Sequence, residues 1–352
     1  MLIYIIIAVI LSIAPKSGKK ANLWNRIIIL ALASMGLLRG EPVGVDVRKY
    51  IINIQHTTFD PSSWNFYTVF EPGYNLLIAA FNSVFDYPML FIGLTNVLYV
   101  ISFNKFAKSK SRDFNLFILL LFLLGYYTQS YNIMRQYFAI SIFLLYATHV
   151  DIGHLTKKQF IMTFLLILFL GMFFHNSTYI MFFLLLYNIP IIRTNVKKAH
   201  LCILLIFTYF MTYLQVVRQL LQPLTTFFLL NDKTNTYFNS AMNADNITEE
   251  YSIIRLTFDT LFALFILYKA SKVDVYVFCY IIGQIYLNFS SSLNPLFTRL
   301  SSWMFIIGIV ALCNLYNQSK LDRKVIILYC TIIFINNLLK NYGDTIPYVL
   351  NI

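Results

Sequence analysis

Charge is scarce in this chain. Only 12% of its 352 residues are Asp, Glu, Lys or Arg, 59% are hydrophobic, and the mean hydropathy is +0.67. No soluble domain sustains such values, and apolar runs of about 15 to 22 residues recur from end to end. Those runs lack the period-two alternation of an outer-membrane barrel. Paired cysteines are missing as well: Cys202, Cys279, Cys313 and Cys330 lie singly inside apolar runs, which excludes a disulfide framework and a cysteine metal site. There is no Gly-rich phosphate loop, no His-Glu-x-x-His and no G-x-S-x-G. No stretch resembles a domain able to bind a nucleotide sugar, so an activated donor is expected to arrive through the membrane.

What remains is a chain of apolar helices. The expected fold class is all-α, a polytopic integral membrane protein, because only helices and closed barrels satisfy backbone polar groups in lipid. Spans are expected near 2–14, 26–38, 86–104, 114–129, 132–149, 160–174, 177–192, 200–220, 251–270, 274–291, 297–316 and 325–340, about twelve in a single transmembrane domain covering 1–352. The first run has no basic residues before it and no small-residue cleavage site, so it reads as a retained helix. The stretch 72–85 is too short to span and reads as re-entrant or interfacial.

The net charge of +12 does not point to nucleic acid. Lys16, Lys19, Lys20 and Arg26, then Lys105, Lys108, Lys110 and Arg112, then Lys157 and Lys158 fall in alternate loops. Arg193, Lys197 and Lys198, then Lys269 and Lys272, then Lys320, Arg323 and Lys324 continue the pattern. One topology places all of these in the cytoplasm. Both termini then face outward, as do two longer loops, 39–71 and 221–250.

Four arginines defy that rule. Arg39 ends the second span, Arg135 opens the fifth, Arg255 opens the ninth and Arg299 opens the eleventh, all near the outer face. Each alone could be a snorkelling anchor. Together they suggest a site for an anionic group at the outer leaflet, most simply a lipid-linked phosphate or pyrophosphate, since a guanidinium fork suits phosphate. Asn132, Arg135, Gln136 and Ala139 share one helical face. No metal site and no cofactor are expected.

Two carboxylates lie nearby. Glu71, before Pro72-Gly73, and Asp46, in Val43-Gly44-Val45-Asp46, could each act as a general base or hold an arginine; holding is the expected role of each. His175, in Phe174-His175-Asn176-Ser177, is expected at an outer turn, where it could titrate near neutral pH or simply be structural.

These landmarks resemble the EpsG family, which groups with the Wzy-type polysaccharide polymerases. The motifs are Arg39 with Val43-Gly44-Val45-Asp46 and Tyr50, then Glu71-Pro72-Gly73-Tyr74, Met134-Arg135-Gln136 with Ala139, His175-Asn176-Ser177, Thr298-Arg299-Leu300, and Ile346-Pro347-Tyr348. The family often has His-Pro-Ser where this chain has His175-Asn176-Ser177. The resemblance implies a GT-C-like glycosyltransferase in the bacterial inner membrane, with its active site facing the periplasm or cell exterior. Its substrate would be an undecaprenyl-pyrophosphate-linked oligosaccharide, its surroundings membrane lipids, and a chain-length regulator protein an associated partner. Arg135, Arg299, His175, Asp46 and Glu71 would be catalytic; Arg39, Gln136, Arg255, Tyr74 and Asn132 would bind substrate. A flippase for the same lipid-linked sugar would instead need polar residues reachable from both faces, and a membrane O-acyltransferase a deeper histidine.

Overall fold

The apolar runs leave the backbone no partner but itself, and the chain answers with helices throughout. The structure is a computed structural model that describes residues 1–15, 18–64, 69–214, 253–291, 295–341 and 343–350. Among the described residues there is no strand, only one isolated antiparallel bridge between Arg39 and Leu350. Two compact units are present: residues 1–179 with 316–352, and residues 180–315.

The first unit contains α1 (Leu2–Ser12), α2 (Gly18–Leu38), α3 (Val47–His56), α4 (Pro72–Asn82), α5 (Pro88–Lys110), α6 (Phe114–Leu123), the short α7 (Tyr126–Gln129), α8 (Met134–Ala147) and α9 (Lys157–Phe173). Helix α5 packs against both α2 and α8. Close approach to α2 depends on Gly93, where a Cβ would lie 2.8 Å from the Leu37 side chain and 2.9 Å from its Cα. Small residues at such crossings are the usual device for packing helices in lipid, where apolar surface alone supplies little drive.

The second unit contains α10 (Phe182–Asn188), α11 (Pro190–Asn195), α12 (Lys198–Tyr213), α13 (Ile253–Lys269), α14 (Val275–Ser291), α15 (Pro295–Thr298) and α16 (Ser302–Tyr316). Helices α12, α13 and α14 pack mutually. Asn288 of α14 joins them: it accepts from Thr260 at 3.1 Å and from Gln284 at 2.9 Å, and donates to the Leu205 carbonyl at 3.4 Å. The final helix, α17 (Lys320–Leu339), returns to the first unit and packs on α6.

Among the described residues, three helical stretches are long and apolar enough to cross a membrane: Gly18–Leu38, Pro88–Lys110 and Arg299–Tyr316. Four shorter helices, α1, α6, α12 and α14, are also apolar. Several expected spans differ for local reasons. The stretch 177–192 is divided into a 3-10 turn (Asn176–Met181), α10 and α11, because Pro190 lacks the N–H that would continue α10 and instead starts α11. The stretch 114–129 breaks at Gly125, whose φ of 86° lies in the left-handed region. Helix α17 begins five residues before the expected 325, since the Ser319 hydroxyl accepts from the Asp322 N–H and caps it there. The loop 39–71 contains a well-formed helix, α3. The expected loop 221–250 lies outside the described residues.

Candidate functional site

Arg135 occupies the first turn of α8, preceded by the Tyr126–Gln129 turn and by Ile133 at the N-cap. That helix start has no side-chain cap from its own N-cap residue. Tyr50 of α3 helps instead, its hydroxyl accepting the Arg135 backbone N–H at 3.4 Å. Glu71 is the N-cap of α4; its carbonyl accepts from Tyr74 and Asn75, leaving the carboxylate unengaged with its own helix. That carboxylate pairs with Arg135, accepting from Nη1. The same nitrogen donates to the Val69 carbonyl at 3.1 Å. Two helix N-termini therefore meet around one ion pair, where the positive ends of their dipoles favour negative charge.

The pair is largely withdrawn from solvent, with side-chain exposures of 18% for Arg135 and 16% for Glu71. Its surroundings are aromatic. The Arg135 guanidinium lies 4.6 Å above the Phe70 ring, a cation–π contact. Phe70 packs on Tyr50 and on Tyr74, and Tyr74 packs edge-on to Phe138, one turn below Arg135. Burial pushes the Tyr50 phenol up despite the opposing pull of Arg135, so it remains protonated. Two polar atoms in this cluster have no partner among the described residues: Nε of Arg135 and the hydroxyl of Tyr74, which is fully buried. The guanidinium thus holds a donor that neither Glu71 nor Val69 uses. Unsatisfied buried donors are uncommon in folded proteins and call for an explanation.

His175 follows α9. Helix α9 approaches α4 so closely that a Cβ on Gly73 would lie 2.7 Å from the Phe173 carbonyl oxygen. Phe174 then packs on Phe138, with ring centroids 5.2 Å apart. The His175 ring is half-buried, and Nδ1 lies 2.6 Å from the Ser177 hydroxyl and accepts the Ser177 N–H at 3.2 Å. Burial first, and the Arg135 charge second, push the imidazole down to about 3. Of the two readings of His175, a group titrating near neutral pH and a structural turn residue, this downward push favours a ring that stays neutral at neutral pH.

The other expected residues are placed as follows. Arg39 is fully buried, donating to the carbonyls of Tyr131 at 3.1 Å and Val43 at 3.4 Å and lying 4.4 Å above the Tyr131 ring. Asn132 precedes α8 and donates to the Gly343 carbonyl at 3.0 Å. With Gly40 N–H on Val349, Gly44 N–H on Asp344 and Val45 N–H on Gly343, it ties the 343–350 segment to the start of the 39–71 loop. Gln136 is buried on α8. Asp46 precedes α3 and pairs with Lys49 at 3.1 Å, at the more exposed edge of the loop. Arg255 and Arg299 belong to the second unit. There Arg255 faces buried Asp259 one turn along α13 at 3.5 Å, and Arg299 opens a 3-10 turn ahead of α16. Among the described residues no group of three metal-ligating side chains occurs.

Phe70 and Tyr50 were not among the expected site residues. Tyr50 was within reach, at one helical turn from Asp46 in the Val43–Tyr50 motif. Phe70 carried no signal beyond preceding Glu71.

Apolar helices of this kind, three of them long enough to cross a bilayer among the described residues, fit an integral membrane protein. Over residues 22–350 the chain matches the EpsG family, and it belongs to that family, a Wzy-like polymerase family. The resemblance carried by the motifs is thereby borne out. The family suggests a polysaccharide polymerase-type function, with a lipid-linked polysaccharide substrate. No curated protein and no solved structure matches the chain.

Proposed function

We propose that this protein polymerises oligosaccharide repeat units carried on undecaprenyl pyrophosphate, at the outer face of the bacterial inner membrane. The observation that carries the reading is the Arg135–Glu71 pair: a withdrawn guanidinium, aimed by a carboxylate and a backbone carbonyl, with its Nε–H unpartnered among the described residues. The acceptor hydroxyl of one lipid-linked unit attacks the anomeric carbon of the growing chain. A new C–O bond forms, the bond to the pyrophosphate oxygen breaks, and its electron pair leaves with the phosphate. The hydroxyl proton passes to a carboxylate, Asp46 or Glu71. Because pyrophosphate departs as a stable anion, the main demand on the protein is charge stabilisation by donors already in place, and Arg135 meets it. Glu71 fixes the guanidinium in the ground state.

The twelve-span, GT-C-like arrangement with loops 39–71 and 221–250 outside belongs to the same proposal. Single cysteines at Lys108 and Asp232, in a background without the native four, test the orientation. An impermeant thiol reagent should label intact cells only at the second position.

The reading itself is tested by the surface glycan of a deletion strain. One capped repeat unit in place of a ladder is the expected result. Complete absence of surface glycan would favour a flippase instead.

A further inference from the structure

The turn after α9 fixes more than the position of His175. The Ser177 backbone N–H points at Nδ1 at 3.2 Å, and an N–H can only donate, so Nδ1 is the acceptor nitrogen. The Ser177 hydroxyl lies 2.6 Å away, and against an unprotonated Nδ1 it can only be the donor of that contact. The His175 backbone is anchored too: its N–H donates to the Leu170 carbonyl, and its own carbonyl accepts both the N–H and the hydroxyl of Thr178. The neutral ring must then carry its hydrogen on Nε2, the nitrogen that neither Ser177 contact uses. A base needs the opposite arrangement, a free lone pair on the open nitrogen.

We infer that His175 serves as a neutral hydrogen-bond donor, presenting Nε2–H to an anionic oxygen of the lipid-linked pyrophosphate held by Arg135, and does not deprotonate the acceptor hydroxyl. The inference rests on the polymerase reading above. Its location fits that role: Phe174 packs at a tilt on Phe138 below Arg135, and the Arg135 charge opposes protonation of the ring. A second cation beside the guanidinium would be costly, whereas a neutral donor adds to it at no electrostatic cost. The fold keeps the ring in the form that can donate without carrying charge.

Amide side chains separate the possible roles, because each mimics one ring nitrogen. The Gln amide reaches the position of Nε2 and can donate there; the Asn amide reaches only Nδ1 and can accept from the Ser177 N–H, as in an Asx turn. In cells expressing matched membrane levels, His175→Gln should keep a glycan ladder. His175→Asn and His175→Ala should collapse it, by about the 10²–10³ in rate typical of one lost charge-stabilising donor. A ladder restored by His175→Asn assigns a purely structural cap and overturns the donor role. Loss in all three variants overturns it in favour of a base. Arg135→Ala, run beside them, keeps the two claims apart: an intact ladder there sinks the polymerase site itself. Histidine-labelled protein provides a check independent of activity. Nitrogen-15 shifts, assigned with His175→Ala, should show the neutral Nε2–H form from pH 5 to 8; an Nδ1–H tautomer or an imidazolium would contradict the inference.

Discussion

Replacing Arg135 by lysine separates a phosphate contact from a membrane anchor. In the structure Nη1 of Arg135 donates to Glu71 and to the Val69 carbonyl, Nε is unpartnered, and the planar group lies over Phe70 at 4.6 Å. A lysine ammonium keeps the charge and reaches Glu71, but loses the fork and the flat face. On the stability side, the hydrogen bond from the charged guanidinium to Val69 is worth about 1.5–3 kcal/mol. A cation–π contact adds roughly 0.5–2 kcal/mol. Losses of that size leave a folded, inserted protein. On the reaction side, removal of one preorganised donor typically costs about 10²–10³ in rate, or 3–4 kcal/mol at the transition state. Comparison at matched membrane levels isolates the reaction loss, so Arg135→Lys should shorten the glycan to one or a few repeats, nearly as Arg135→Ala does. The assay is the length distribution of the surface glycan. Lysine snorkels as well as arginine, so a normal ladder from Arg135→Lys would refute the guanidinium role and return Arg135 to an interfacial anchor.

Three further outcomes follow from neighbouring contacts. Gly73→Ala places a Cβ 2.7 Å from the Phe173 carbonyl oxygen and should force α4, and Glu71 with it, away from α9. Overpacking of this kind costs about 1–3 kcal/mol, so the purified protein should melt earlier and give a shorter ladder; an unchanged melting temperature would show that the contact relaxes freely. Arg39→Met strips the buried carbonyls of Tyr131 and Val43 of their donor, at about 1–3 kcal/mol per unsatisfied group. It should lower thermal stability in detergent while matched levels of protein still yield a ladder, whereas loss of the ladder would make Arg39 a substrate contact. Acidification tests His175: its pKa falls from an unfolded 6.5 to about 3 in the fold, so the unfolded chain binds the proton first. The stability it contributes is complete above about pH 6.5 and declines as pH falls towards 3. Wild type should therefore lose more melting temperature than His175→Gln between pH 6.5 and 4.5; parallel losses would contradict the assignment.

Much of this arrangement was legible in the chain, and the gaps have identifiable causes. The all-helical class follows from composition alone. Arg135 stood out because it breaks the charge alternation, and Glu71 because Pro72 marks the first position of a helix; their pairing across 64 positions is a tertiary fact with no local trace. Arg39 shows the limit more sharply. A helix-end arginine reads as surface until the aromatic ring of Tyr131 and the returning 343–350 segment are known to enclose it. The break at Pro190 was available and was outweighed by hydropathy, which registers an apolar run on either side of a proline equally. His175 was found, but its tautomer depends on a backbone N–H two residues on, a matter of turn geometry that residue identity does not specify.

The most direct measurement is polymerisation by the purified protein, reconstituted in liposomes with its undecaprenyl-pyrophosphate-linked repeat unit. The account predicts glycans of increasing length, one undecaprenyl pyrophosphate released per linkage formed, and elongation reduced by about 10²–10³ in Arg135→Ala. Elongation at the wild-type rate by Arg135→Ala, or transfer of the lipid-linked unit across the bilayer without any lengthening, would contradict it.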